Sequence, residues 1–139
     1  MTNFFTEKIT LYNDVPADTI NPRRFVRHVI DRCNIQNGYV EKSNGTISNQ
    51  VNATTIITKA VERYKEPKAY MALPADKKAD YFTVQTDDFI VFGEAADVVT
   101  TAAEWQALKS KYKHNGISVT SVNAYIYGRE TDNISIVHA

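Results

Sequence analysis

The chain is short of the residues from which several kinds of site are made. One cysteine, Cys33, in 139 residues excludes a disulfide within the chain and fits a reducing compartment. His28, His114 and His138 are the only imidazoles, and with the lone thiol they form neither a CxxC nor a spaced histidine pair of the kind that holds zinc. Five glycines fall in no G-x-G-x-x-G or P-loop pattern, so there is no phosphate cradle, and G-x-S-x-G and H-E-x-x-H are absent too. The 16 basic and 16 acidic residues balance, so no overall charge draws the chain to nucleic acid or a membrane surface. No window approaches the roughly 18 apolar residues of a membrane span. The opening MTNFFTEK has neither the basic nor the apolar part of a signal peptide. On that reading the sequons at Asn44, Asn52 and Asn133 are expected to stay unmodified.

What is present suits one domain over residues 1–139, long enough to bury a single core. The densest apolar run, Tyr81–Gly93, is expected to sit at its centre. Phe82 and Val84 alternate with Tyr81, Thr83 and Gln85, the period of a strand with one buried face. Phe89-Ile90-Val91-Phe92 does not alternate, which predicts a strand covered on both faces, with Gly93 ending it at a turn. The cover is a helix at Thr101–Lys113. Thr101 and Glu104 have capping-box spacing, and Trp105, Leu108 and Tyr112 make a stripe that faces a core. Lysines crowd its last turns and Asn115-Gly116 stops it.

Further strands are predicted at Lys8–Tyr12, with Ile9 and Leu11 on opposite faces, and at Phe25–Cys33, Val51–Thr58 and Asn133–Val137. A turn of helix is expected at Ala75–Ala79. Residues 34–52 are the most polar part and read as a long, mobile, extended loop, in which Asn44-Gly45 suits a hairpin between Tyr39–Lys42 and Thr46–Ser48. Ile117–Tyr127 is a long strand whose inward parity changes, from Ile117 and Val119 to Val122, Ala124 and Ile126. Such a slip marks a bulge or bend of the kind small barrels use to close. The fold class is therefore mainly β with one α-helix: a small β-barrel or strongly curved antiparallel sheet with the helix packed on it.

No nucleophile or metal signature emerges, so no catalytic, cofactor or metal residues are assigned and the chain is not read as an enzyme. From Ala79 to Leu108 there is no lysine or arginine, while Asp80, Asp87, Asp88, Glu94, Asp97 and Glu104 all fall there. Four of these, Asp87, Asp88, Glu94 and Asp97, are oxygen donors, but their spacing matches no EF-hand loop. Opposite in sign, Arg23, Arg24, Arg27 and Arg32 cluster within ten residues. The acidic run reads either as a solvated rim or, since patches of opposite charge on a neutral chain can complement each other between copies, as one half of a head-to-tail contact that closes into a ring. The candidate interface is thus Arg23, Arg24, Arg27, Arg32, Asn37, Tyr39, Asn44, Asp87, Asp88, Glu94 and Asp97. A glycan or small-ligand module using Tyr39, Tyr64, Tyr70, Tyr125 and Tyr127 is the alternative of another class.

Taken in order, ITLYN (Ile9–Asn13), RRFVRHVI (Arg23–Ile30), the element Thr83-Val-Gln85-Thr-Asp87-Asp-Phe89-Ile-Val91-Phe-Gly93, the Trp105/Leu108 helix, VTSV (Val119–Val122) and Gly128 resemble a family of small structural proteins. That family comes from the head–tail gene block of tailed bacteriophages and prophages. The resemblance covers most of the chain; the loop at 34–52 is longer than the family pattern, and the tail after Gly128 differs. It implies a virion protein, assembled in the host cytoplasm as a ring of identical copies. Its role would be head-closure or head–tail connector (adaptor) subunit, with tail terminator as the variant. Its partners would be portal, adaptor and tail proteins, around a lumen through which DNA passes and with no membrane, and no cofactor is implied. The polar loop would order on docking.

Overall fold

Branched and aromatic residues in short runs build seven strands: β1 (Glu7–Val15), β2 (Arg24–Ser43), β3 (Ser48–Thr58), β4 (Phe89–Phe92), β5 (Gly116–Ser118), β6 (Ser121–Tyr125) and β7 (Asn133–His138). Two helices accompany them, α1 (Pro67–Met71) and α2 (Ala102–Lys111). The structure, a computed structural model, describes residues 5–17, 22–43, 48–74, 76–78, 80–128 and 132–138, and the backbone alone over 38–43 and 48–52. One sheet holds all seven strands in the order β5-β4-β1-β2-β3-β7-β6, every pair antiparallel.

β5 and β6 are the two ends of this sheet, yet only Val119 and Thr120 separate them in the chain. So short a connection reaches on the order of 10 Å, which forces the sheet to curl until its ends meet at one corner. Hydrogen bonds fix that corner on both sides. The Asp87 amide donates to the Val119 carbonyl and the Val119 amide to the Asp88 carbonyl, each at 2.9 Å, while the Thr120 amide donates to the Val137 carbonyl at 2.8 Å. Ile117, Val119 and Val122 all pack on the concave side, so the inward positions step from odd to even across Thr120, the slip expected from sequence. Ala124 and Ile126 do not follow; both are exposed. The curled sheet is open in its pairing rather than a closed barrel.

Apolar residues fill both sides of the curl. On the concave side Ile9, Leu11, Ile30, Ile56, Ile90, Ile134 and Ile136 meet Phe82 and Val84 of the segment that crosses beneath them. On the convex side Tyr12, Phe89 and Val91 pack with Ala95, Val99, Trp105 and Leu108, which seats α2. β4 contributes to both cores, as its unbroken apolar run requires. Truncating a ring packed as Trp105 is, stacked on Phe25 at 4.9 Å, costs about 3–5 kcal/mol. Thr101 caps α2 by accepting from the Glu104 amide at 3.1 Å, but Glu104 turns to the Thr100 hydroxyl (2.8 Å) rather than back to the cap amide.

Several expectations are corrected. Ile9 and Leu11 share one face, as residues two apart in a strand must. The middle strand of the order is β2, with β4 next to one end. Tyr81–Gln85 is no strand: Phe82 makes a single parallel bridge to Tyr64, and Thr83 is buried between its neighbours. The short helix is α1, with Pro67 in its first turn, where a missing N–H costs nothing. Of the expected turn at Ala75–Ala79, both end residues lie outside the described set and 76–78 form turns.

The largest difference is the polar loop. Residues 34–43 and 48–52 are paired backbone, in register from Asn34↔Ile57 to Ser43↔Ser48, with the Asn44-Gly45 turn itself outside the described residues. β2 carries one further irregularity. Between Glu7↔Cys33 and Ile9↔Ile30 it holds an extra residue, and Arg32 has φ 54°. This bulge turns both Ile30 and Cys33 toward the core.

Candidate functional site

The charged residues singled out by sequence are best followed from Asp88, which is 3 % exposed. Its carboxylate accepts from the Asn13 side-chain amide (2.8 Å), the Gln85 amide (3.0 Å) and the Asp14 amide (3.2 Å). Asn13 Nδ2 also donates to the Thr83 carbonyl at 2.6 Å. One carboxylate thereby ties the end of β1 to residues 83–85 and to the corner that releases β6. Burial raises its pKa to about 6, partly offset by the hydrogen bonds it accepts. Tyr70, also buried, feels both Asp88 and Arg24: burial first, then Asp88, pushes its pKa up to about 12, while Arg24 pulls it down.

The four arginines do not form one patch. Arg23 is exposed and bidentate to Asp14, Nε–Oδ1 2.9 Å and Nη2–Oδ2 2.8 Å. Arg24, one residue on, points to the other face, and its Nε and Nη1 are buried without a protein partner. Arg27 donates to the Ala95 carbonyl on the convex side. Arg32, at the bulge, pairs with Glu62 and, at 3.6 Å, with Asp31. Alternation along β2 explains the dispersal, since neighbours in a strand face opposite ways.

The acidic residues disperse as well. Asp87 is exposed with φ 77°, and Glu94 is exposed. Asp97 accepts from Lys111 Nζ (2.8 Å) and the Tyr112 hydroxyl (2.7 Å), and these hydrogen bonds, Lys111 first, hold its carboxyl below the usual range. Asp87, Asp88, Glu94 and Asp97 do not converge: among the described residues no three His, Cys, Asp or Glu side chains are placed to hold one ion. Asn37 accepts from the Thr54 hydroxyl at 2.9 Å. Tyr39 is described by its backbone alone, and Asn44 lies outside the described residues. Of the tyrosines proposed for a ligand module, Tyr70 is fully buried and Tyr64 half-buried edge-on to Phe82; only Tyr125 and Tyr127 are described as exposed.

Two features go beyond the sequence reading, which predicts a short hairpin at Asn44-Gly45 and a bend within Ile117–Tyr127. The first is an arm. β1 leaves β2 at Cys33, and β7 leaves β3 at Thr54, so residues 38–43 and 48–53 continue as a two-stranded ribbon on the order of 20 Å long. Glu7 Oε2 accepts from the Ile35 amide at 2.8 Å, at the arm's root. The second is the free end of the sheet. Among the described residues β6 pairs with β7 alone, and Tyr125, Ile126 and Tyr127 are 44 %, 41 % and 71 % exposed. The Asp132 carboxylate accepts from the Tyr127 and Gly128 amides (3.0 and 2.9 Å). The parity slip at Thr120 was the signal for the edge, and the Asn44-Gly45 turn was the signal for the arm.

No protein of established function and no solved structure matches this chain. A family model does, described as a family of unknown function, DUF6751, over residues 4–138. The chain belongs to that family.

Proposed function

We propose that this protein is a structural subunit of the head–tail joint of a tailed bacteriophage, a head-closure or connector protein that assembles as a ring between portal and tail. The observation that carries the reading is the arm. A two-stranded ribbon with no third strand paired to it among the described residues gains little stability for its own fold, but is free to pair with a neighbouring molecule. The order of sequence motifs, from ITLYN (Ile9–Asn13) to Gly128, supports the same class. Assembly, not turnover, is the role: a curled sheet held rigid by two cores presents an arm at one place and an uncovered strand at another.

The test is purification of the chain alone and with any portal or tail-tube protein found encoded beside it, followed by light scattering on a sizing column and electron microscopy. Rings, or co-elution with portal or tube, are expected, and which of the two partners is retained decides between head closure and tail terminator. A protein that stays monomeric and ignores both partners is not a connector.

A further inference from the structure

We propose that the β3 edge of the arm, residues 48–53, adds as an extra strand to the open edge of β6 in the next copy, so that each subunit gives an arm and receives one. The inference rests on the assembly reading above and names the surfaces that reading leaves open.

Both surfaces are bare backbone edges. Among the described residues no strand pairs with β3 before Thr54 on the side away from β2, and none pairs with the outer side of β6. Unpaired N–H and C=O groups in a row are a template for another strand, and soluble proteins usually guard them with charge. Neither edge is guarded here. Ser43–Thr58 contains no Asp, Glu, Lys or Arg, and neither does Asn115–Gly128, in a chain that is 23 % charged. Pairing them brings no buried charge and no like-charge contact. Their lengths match, at six residues in the arm and five in β6. Tyr125, Ile126 and Tyr127 add exposed apolar surface where an incoming strand would lie.

The other end of the sheet is less open. Gly116–Ser118 runs into the pinned corner, where the Ser118 carbonyl lies 2.6 Å from His138 Nδ1. Because donor and acceptor edges differ, the contact is head-to-tail and propagates until a ring closes or a filament grows.

Cross-linking tests the pairing directly. Asn123→Cys, on exposed β6, is mixed with chains carrying Asn49→Cys, Gln50→Cys or Asn52→Cys in the arm and oxidised. The native Cys33 is buried, and burial pushes its thiol up to about 11, so it contributes little background. Disulfide-linked heterodimers are expected in at least one mixture and absent from the separate proteins. In parallel, the double variant Tyr125→Lys/Tyr127→Lys should raise the subunit dissociation constant at least tenfold with its melting temperature unchanged. Cross-links only between Asn123→Cys chains would mean edge-to-edge pairing of β6 and overturn the proposal. Rings that persist without any arm-to-edge cross-link, and in the lysine variant, also overturn it while leaving the connector role standing. A chain that never oligomerises and binds no virion partner removes both.

Discussion

Asn13 Nδ2 lies 2.8 Å from Asp88 Oδ2 inside the curl, a buried amide holding a buried carboxylate across 75 residues of chain. Asp88 therefore does not offer its charge at a surface. It fastens the end of β1 to the turn from which β4 starts, while the adjoining backbone holds Val119.

This placement has a pH signature that His28 opposes. Burial, with Arg63 adding to it, lowers the His28 pKa to about 4, and burial raises that of Asp88 to about 6. A histidine depressed in the fold contributes stability at neutral pH that is lost as pH falls from about 6.5 to 4. An aspartate raised in the fold acts in the opposite sense: it favours the fold at low pH, and that contribution is lost as pH rises from about 4 to 6. Each shift of about two units corresponds to about 3 kcal/mol, so the two nearly cancel in the intact protein. Denaturant midpoints between pH 4 and 6.5 should be nearly flat for wild type. They should fall with rising pH in His28→Leu and rise with it in Asp88→Asn. Identical slopes in all three proteins would show that neither group titrates as its burial requires.

Gly116 should tolerate no side chain. A Cβ there would meet the Ile90 carbonyl oxygen at 2.7 Å, the Phe89 ring at 2.8 Å and the Tyr112 carbonyl oxygen at 3.0 Å. Two of the three are backbone, of β4 and of the end of α2, and cannot move away cheaply. Gly116→Ala is expected to cost about 1–3 kcal/mol, the range for overpacking a well-filled core. A loss near zero in chemical denaturation would mean that α2 slides freely on β4.

The two halves of the α2 cap should separate on mutation. Thr101→Ala removes the acceptor of the Glu104 amide and is expected to cost about 1 kcal/mol. Glu104 bonds to hydroxyls rather than to the cap amide, so Glu104→Ala should cost less than half of that. Equal losses would show that the full capping box forms in solution.

How much of this was readable beforehand depended on whether a residue's neighbours are local. Thr101, Trp105 and Leu108 act within one helix, and their spacing announced it. Phe89–Phe92 announced burial on both faces because an unbroken apolar run has no solvent side. The slip between Val119 and Val122 announced a bend, though not that the bend joins the two ends of the sheet, because β-strand partners are set by topology rather than spacing. The arm was half legible: Asn44-Gly45 announced a hairpin, but composition hid how far its strands run. Asn and Gln are poor strand residues alone, and only the register with 48–57 shows that 34–43 is extended. Charge was the least legible feature. Asp87 and Asp88 are adjacent, yet one is exposed and the other buried.

Arg23 and Arg24 repeat that contrast and give the sharpest test of it. As part of one basic patch, reversing either charge would weaken assembly and spare the fold. In the structure only Arg23 faces solvent, paired with Asp14 across 2.8 Å. Arg24 has its Nε and Nη1 buried, on the same side as Tyr70 and Asp88. Arg23→Glu breaks a pair at the surface, where solvent screens most of the attraction, and should leave the melting temperature close to wild type. Arg24→Glu puts a carboxylate where Nε and Nη1 are buried near Tyr70, with no cation shown to balance it, and should destabilise by about 3 kcal/mol or more. Thermal melts of the two single variants, read before any assembly assay, decide the matter. Equal and small effects would put the Arg24 guanidinium in solvent.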